Sequence, residues 1–347
     1  MPDPAAPRLD PTPIFELFRG SYATALLAAA VSHFDLFGKL AAQPMEFEAL
    51  RNELKLTPRA ATVLVAALRA MGLLRADASQ RLDLTDLARE HLVPGSEFHV
   101  SGYIAQAAET PLVRDLVERL RTNKPAGAKP DEGVGFIYRE GIDSAMEDEA
   151  AARRLTLALA GRARNVAPFL AERVALDSCR ILLDVGGGTG IYSIACLKRY
   201  PRLRAIVWDR EQVLKVAREF AQEAGVTDRM QFLAGDMFVD AVPAGCDVML
   251  LSNVLHDWDV PECRTLIGRC ASALPAGGRL LIHDVYYADA MDGPLPVALY
   301  SAALFSLTEG RAYSAAEYQS WLTEAGLSPG SVVPTLIHCG VLAGTKK

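Results

Sequence analysis

An α/β architecture is expected from this sequence: a doubly wound, mostly parallel sheet, preceded by a smaller α-helical domain of winged-helix order. Three observations predict it. Apolar runs at 180–185, 204–209 and 230–236 carry Asp184, Asp209 and Asp236 at their carboxyl ends, and helical periodicity fills the gaps between them. The first run meets Gly186, Gly187 and Gly188, a tight turn between a buried strand and a helix opening near Ile191. Residues 46–94 read helix, helix, hairpin, helix. These patterns divide the 347 residues into a winged-helix-like domain at 1–100, a helical segment at 101–178 and an α/β domain at 179–347.

Residues 1–13 are proline-rich and suit an arm or a tail. From 14 to 40, Phe15, Phe18, Tyr22, Leu26, Ala29 and Ala30 recur at helical spacing. So much alanine with so little polar surface fits a dimer interface as well as a core. Residues 46–55 are amphipathic. Thr57 and Pro58 supply a cap and a first-turn proline, Leu64, Leu68 and Met71 mark one face, and Gly72 stops the helix. Residues 73–84, with a polar turn in their middle, read as a two-stranded wing, and Thr85 opens a helix ending near Pro94. From 100 to 178 the pattern is mainly helical, broken by a loop at 123–130 and by 133–138; the acidic run 143–149 leads into a helix over 150–167. This segment is expected to pack the front domain onto the glycine-loop domain and leave a cleft. Further on, strands at 247–252 and 279–285 alternate with helices at 211–223 and 260–273, and a helix at 314–325 and a strand at 338–345 close the chain.

The glycine turn calls for a nucleotide-like ligand, because its backbone can approach without a Cβ and the N–H groups of the helix start favour an anionic group. A dinucleotide fingerprint beginning at Gly186 needs a small residue at 191, where Ile191 stands, so NAD is disfavoured. Asp209 ends the next strand at the distance where a ribose-binding carboxylate sits in doubly wound folds. The segment Asp184-Val-Gly186-Gly-Gly188-Thr-Gly190 resembles the glycine loop of class I S-adenosylmethionine (SAM) methyltransferases. That resemblance makes Asp184, Gly186 and Gly188 part of the cofactor loop. It also makes Gly235-Asp236-Met237-Phe238 the adenine corner, with Asp236 toward the amine and Met237 against the ring.

A formal charge of −6 argues against nucleic acid or an anionic membrane as main partner. The first hundred residues hold ten Lys and Arg against twelve Asp and Glu, and the candidate recognition helix at 58–71 carries only Arg59 and Arg69. No phosphate footprint results, and the winged helix is expected to dimerise or cover the site rather than read DNA. The apolar run at 23–31 is too short to span a bilayer. No basic patch followed by an apolar core marks a secretory signal, and a cytoplasmic protein is expected. All six cysteines lie in the second half without a C-x-x-C pair, as suits reduced, buried thiols and no zinc site.

The stretch Leu250-Leu-Ser252-Asn-Val-Leu-His256-Asp257-Trp258 follows the fourth strand, at the sheet end where open α/β folds bind ligands. With it the chain is similar, over essentially its full length, to small-molecule O-methyltransferases of the caffeic acid and acetylserotonin type, whose bacterial members act on aromatic polyketides and related metabolites. The resemblance implies a homodimer through the winged-helix domain, SAM as cofactor with S-adenosylhomocysteine as product, and an aromatic small molecule as acceptor. His256 is then the general base and Asp284, ending the fifth strand, the acid that orients it. An imidazole suits the task, since a phenol titrates near 10 and costs about 4 kcal/mol to ionise at pH 7. Trp258, Tyr300, Phe305 and Tyr313 are the candidate acceptor-pocket residues.

Two departures accompany the resemblance. Ser252 stands where many relatives have a lysine reaching the cofactor, and Ala312 stands where plant relatives have a second acid beside the base; Glu309 is a conceivable substitute. Other readings remain beside the main one: a SAM-binding relative that hydroxylates or catalyses pericyclic chemistry, or a C-methylating one with iron on His256, Asp257 and His283. Adjacent residues are awkward chelators, and no metal spacing is clear. A DNA-binding regulator is the non-enzyme alternative.

Overall fold

The computed structural model describes residues 6–124 and 149–347. Most of the expected loop at 123–130, all of 133–138 and nearly all of the acidic run at 143–149 lie outside the described residues. Two compact units emerge, one of Met1–Pro13, Ile137–Tyr286 and Tyr313–Lys347, the other of Ile14–Phe136 and Tyr287–Ala312. The three consecutive segments read from the sequence are thus regrouped, because the chain leaves the α/β unit after Tyr286 and returns at Tyr313.

The front unit comprises α1 (Thr12–Arg19), α2 (Ser21–Ala28), a π-turn at Ala29–His33, α3 (Leu36–Ala42), α4 (Phe47–Leu54) and α5 (Pro58–Ala70). The wing strands β1 (Leu74–Ala76) and β2 (Leu82–Leu84) follow, then α6 (Asp86–Leu92), α7 (Ser101–Ile104) and α8 (Pro111–Thr122). Thr57 and Thr85 cap α5 and α6 by accepting from the N–H groups of Ala60 and Ala88, each cap contributing about 1 kcal/mol. The stretch 12–33 is 22 residues long and, by length and composition alone, apolar enough to cross a membrane. Its second half is core: Ala25, Leu26, Ala28, Ala29 and Ala30 are buried where α2 packs on α5 and α8.

A helix the sequence reading did not separate, α13 (Leu295–Leu307), completes this unit by packing on α5 and α2. It is apolar almost all round, so it shows no face periodicity, and such a helix must be buried. Arg59 of α5 is buried too. It donates to the carbonyls of Thr308 (2.8 Å) and Gly310 (3.0 Å) and to Asn123 Oδ1 (2.9 Å), with its guanidinium 4.3 Å from the centre of the Phe305 ring. A cation at the carbonyl end of α13 also complements the helix dipole. Arg69 donates to the Ala290 carbonyl. Both cations that a DNA-reading helix would offer to phosphates are therefore engaged inside the unit.

In the α/β unit the strands are β3 (Ile181–Val185), β4 (Arg204–Asp209), β5 (Met230–Ala234), β6 (Val248–Ser252), β7 (Arg279–Tyr287), β8 (Tyr313–Ser314), β9 (Leu327–Pro329), β10 (Val333–Pro334) and β11 (Cys339–Lys346). Among the described residues they form one sheet in the order β10-β11-β7-β6-β3-β4-β5, with β8 on β7 and β9 on β11. The five strands from β7 to β5 are parallel and β11 runs antiparallel to β7. Chain order reverses between β3 and β6, which places the ligand crevice of a doubly wound sheet at their carboxyl ends. Helix α9 (Glu149–Arg173) packs on α10 (Ile191–Arg199) and α11 (Glu211–Ala224), and α12 (Val260–Ala273) packs on α14 (Ala315–Glu324). Leu183, Met249, Leu251 and Ile282 of the sheet share a core with Leu266 and Ile267 of α12. Each such side chain contributes about 1.5–3 kcal/mol by burial.

Tyr313, expected in the acceptor pocket, is instead a core residue. Its position on β8, paired with β7, turns the ring inward against Tyr318 and Trp321, and its hydroxyl donates to the Trp258 carbonyl at 2.6 Å. A bond of this kind adds about 1 kcal/mol, and here it fixes the end of the turn that carries His256.

Candidate active site

The glycine loop is held from below. Gly186 donates to the Trp208 carbonyl (2.8 Å), and Gly186, Gly188 and Gly190 all take left-handed backbone, which glycine alone adopts without strain. A Cβ at Gly190 would come within 2.4 Å of Met230 Cε, whereas one at Gly188 would meet nothing within 4 Å. Asp184 lies under the loop, 1 % exposed, with Oδ2 accepting from Ser193 Oγ at 2.7 Å. Its Oδ1 is buried with no partner among the described residues. Burial raises its pKa to about 7; the Ser193 bond opposes this and the Asp209 charge adds to it.

Asp209, at the end of β4, accepts from the N–H groups of Gly188 (2.8 Å) and Arg210 (2.7 Å). Asp236 follows β5, accepting from Phe238 N–H (2.7 Å) and pairing with Arg210 (2.9 Å). Met237 and Phe238 are half-buried beside it, which makes this corner apolar. Phe238 meets Trp258 edge-on at 4.7 Å, and Trp258 itself is buried.

His256 sits on a short 3-10 turn (Leu255–Asp257) that follows β6, and it is buried. Its Nδ1 is 2.5 Å from Asp284 Oδ1, and Asp284, on β7, also accepts from Val285 N–H (2.8 Å) and Tyr318 OH (3.3 Å). On the other side of the ring, Nε2 is 3.6 Å from Asp257 Oδ1. The imidazole is thus bracketed by two carboxylates, and Nδ1–H donated to Asp284 leaves Nε2 as the basic nitrogen.

The O-methyltransferase domain family matches residues 132–328, more than half of the chain. This chain belongs to the O-methyltransferase family. It is 34 % identical over 97 % of its length to a 3-hydroxy-5-methyl-1-naphthoate 3-O-methyltransferase of Streptomyces sahachiroi, covering 95 % of that protein. It is 30 % identical to the acetylserotonin O-methyltransferase of Bos taurus, over 86 % of each chain. The crystal structure of an O-methyltransferase family 2 protein from Planctomyces limnophilus in complex with apigenin superposes with a TM-score of 0.89 at 46 % identity, covering 99 % of this chain and 98 % of that one. The protein is accordingly a SAM-dependent methyltransferase, and the loop fits SAM: an open face at Gly188, free lone pairs on the Asp209 carboxylate, the orphaned Asp184 oxygen and an apolar corner for a ring.

Electrostatics in this methyltransferase centre on His256. Burial alone would lower its pKa, but the Asp284 and Asp257 carboxylates outweigh burial and raise it above 6.5. Burial pushes Asp257 up to about 7 against the pull of His256. His283, the conceivable third iron ligand, has both nitrogens engaged, Nδ1 with Ser252 Oγ (2.8 Å) and Nε2 with Thr335 Oγ1 (3.1 Å), and burial drives its pKa down to about 3. Ser252, expected at the cofactor, is 9 % exposed and spends its hydroxyl on His283 and on the Asn253 amide, so it supports the turn from inside. Tyr300 and Phe305 belong to the front unit, where Arg19 lies 3.6 Å over the Tyr300 ring.

Ala312 brings no acid to the imidazole; among the described residues the second carboxyl group beside it is that of His256's own neighbour, Asp257. Glu309 belongs to the other unit. From the sequence Asp257 stands only as a possible chelator, although its adjacency to His256 is the available signal. Sequence reasoning missed Tyr318 and Asn253 altogether.

Proposed function

We propose that this methyltransferase transfers the methyl group of SAM to a phenolic hydroxyl of an aromatic small molecule, with His256 as general base. The observation that carries this reading is the buried His256–Asp284 pair, which fixes the tautomer and leaves Nε2 to accept a proton. Relatives named for a hydroxynaphthoate and for acetylserotonin, and one bound to apigenin, support an aromatic hydroxyl compound as acceptor. Bound SAM supplies an electrophilic methyl on a sulfonium, which leaves as a neutral thioether. Asp209 and the loop N–H groups orient it, Asp284 holds the imidazole plane, and Nε2 takes the hydroxyl proton as the oxygen lone pair forms the new C–O bond.

A pH profile tests the pairing. The base works only when deprotonated, and its folded pKa is raised, so the acid limb of kcat is expected above pH 6.5, with turnover falling as pH drops through that value. Asp284→Asn removes a charge that favours the imidazolium and is expected to move the limb to lower pH. A limb that stays put in that variant detaches Asp284 from the base.

On the same reading the front units pair two chains. Ile14, Leu17 and Phe18 of α1 are 69 %, 83 % and 81 % exposed, apolar surface of the kind that association covers. Sedimentation equilibrium is expected to find a dimer, and a monomer when Leu17→Glu and Phe18→Glu are combined; a monomeric wild type rules the pairing out.

A further inference from the structure

We infer that Arg162 is a positioning residue for methyl transfer: through Asn253 it fixes the turn carrying His256, and its charge offsets the two carboxylates that bracket the imidazole. This rests on His256 being the base. Arg162 reaches from α9 to the end of β6, where Nη1 donates to Asn253 Oδ1 (2.5 Å) and Nη2 to Cys339 Sγ (2.9 Å). Asn253 holds left-handed backbone (φ 55°) three positions before the base, and its own N–H donates to the His283 carbonyl (2.8 Å). Because its oxygen faces a guanidinium, its Nδ2 must point the other way, to Tyr192 OH (3.2 Å) and Ser252 Oγ (3.1 Å). The Ser252 hydroxyl that accepts from this amide also bonds His283 Nδ1 (2.8 Å), and His283 Nε2 bonds Thr335 Oγ1 (3.1 Å). Thr335 N–H donates to the Cys339 carbonyl (2.8 Å), and Cys339 Sγ meets Arg162 again. Arg162, which can only donate, thus sets the orientation of the Asn253 amide at one end of this network and reaches Cys339 at the other.

The charge matters as much as the geometry. Among the described residues, the groups facing the imidazole or its Asp284 partner are Asp284, His283 and Tyr286 on β7, Asp257 on the turn, Tyr318 on α14 and Arg162 on α9. His283 is neutral and both tyrosines stay protonated, so among these groups Asp284 and Asp257 are the acids beside the imidazole and the Arg162 guanidinium is a permanent cation against them. Removing it would favour the imidazolium further and leave less of the basic Nε2 at a given pH. The Arg162 charge acts to lower the pKa of both His256 and Asp257.

The test compares Arg162→Gln, Arg162→Lys, Asn253→Gly and His256→Ala for kcat, KM, SAM Kd and the pH profile, with melting temperatures recorded. Arg162→Gln is expected to lower kcat about tenfold or more, to raise the acid limb by about one pH unit and to leave the SAM Kd within a few-fold. Arg162→Lys keeps the charge and is expected to leave the limb near its wild-type position while kcat still falls, since an ammonium cannot fork between Asn253 and Cys339. Asn253→Gly preserves the left-handed turn and is expected to lower kcat without moving the limb. If Arg162→Gln leaves the limb in place, or weakens SAM binding with kcat unchanged, the inference fails while His256→Ala still identifies the base. If His256→Ala retains full kcat, the base assignment fails and takes this inference with it.

Discussion

Replacing His256 with alanine is expected to reduce turnover by about 10²-fold or more while SAM affinity stays within a few-fold. The size follows from the proton: a phenol with pKa near 10 costs about 4 kcal/mol to ionise at pH 7, and a positioned imidazole takes that proton as the bond to carbon forms. Cofactor binding is spared because His256 follows β6, while the loop and Asp209 belong to β3 and β4. Labelled-methyl transfer to a panel of phenols gives kcat and calorimetry gives the SAM Kd. Unchanged turnover would remove His256 from its role, and label on carbon rather than oxygen would favour the C-methylating alternative.

Asp209→Ala should weaken SAM binding by roughly 30- to 1000-fold, the equivalent of about 2–4 kcal/mol from hydrogen bonds to a charged group. The carboxylate has about four acceptor sites, and the N–H groups of Gly188 and Arg210 occupy two. The remaining sites suit a ribose diol, so one substitution removes the sugar's acceptors and releases Gly188 from its left-handed place in the loop. Titration calorimetry on the folded variant checks this; a Kd within twofold of wild type would move the ribose elsewhere.

Much of the α/β unit was readable because its signals are local. The bounds of β4 and α12 are as expected, since an apolar run closing on Asp209 and the Asp259 cap followed by Pro261 punctuate the chain within a few residues. His256 and Asp284 could be named because the motif after β6 and the family resemblance mark them, although β7 runs on past Asp284 to Tyr287. What escaped depends on distant partners. Arg59 looked like a sparse DNA-facing cation, and its partners at Thr308 and Gly310 lie some 250 residues away. Arg162 is 91 positions from Asn253, in a helix whose pattern gives no reason to single out one arginine. Tyr313 was assigned by side-chain type, and only the pairing of its short strand turns it into the core. Helix α13 has no polar face for periodicity to detect.

Because α13 belongs to the front unit, that unit is assembled from two lengths of polypeptide separated by most of the sheet. A ribosome must pass residue 307 before the carbonyl end on which Arg59 closes exists, so the α5 surface waits uncovered while β3 to β7 are made. A truncation ending at residue 136 would expose that surface permanently, and grafting the front unit onto another methyltransferase requires moving 14–136 and 287–312 together.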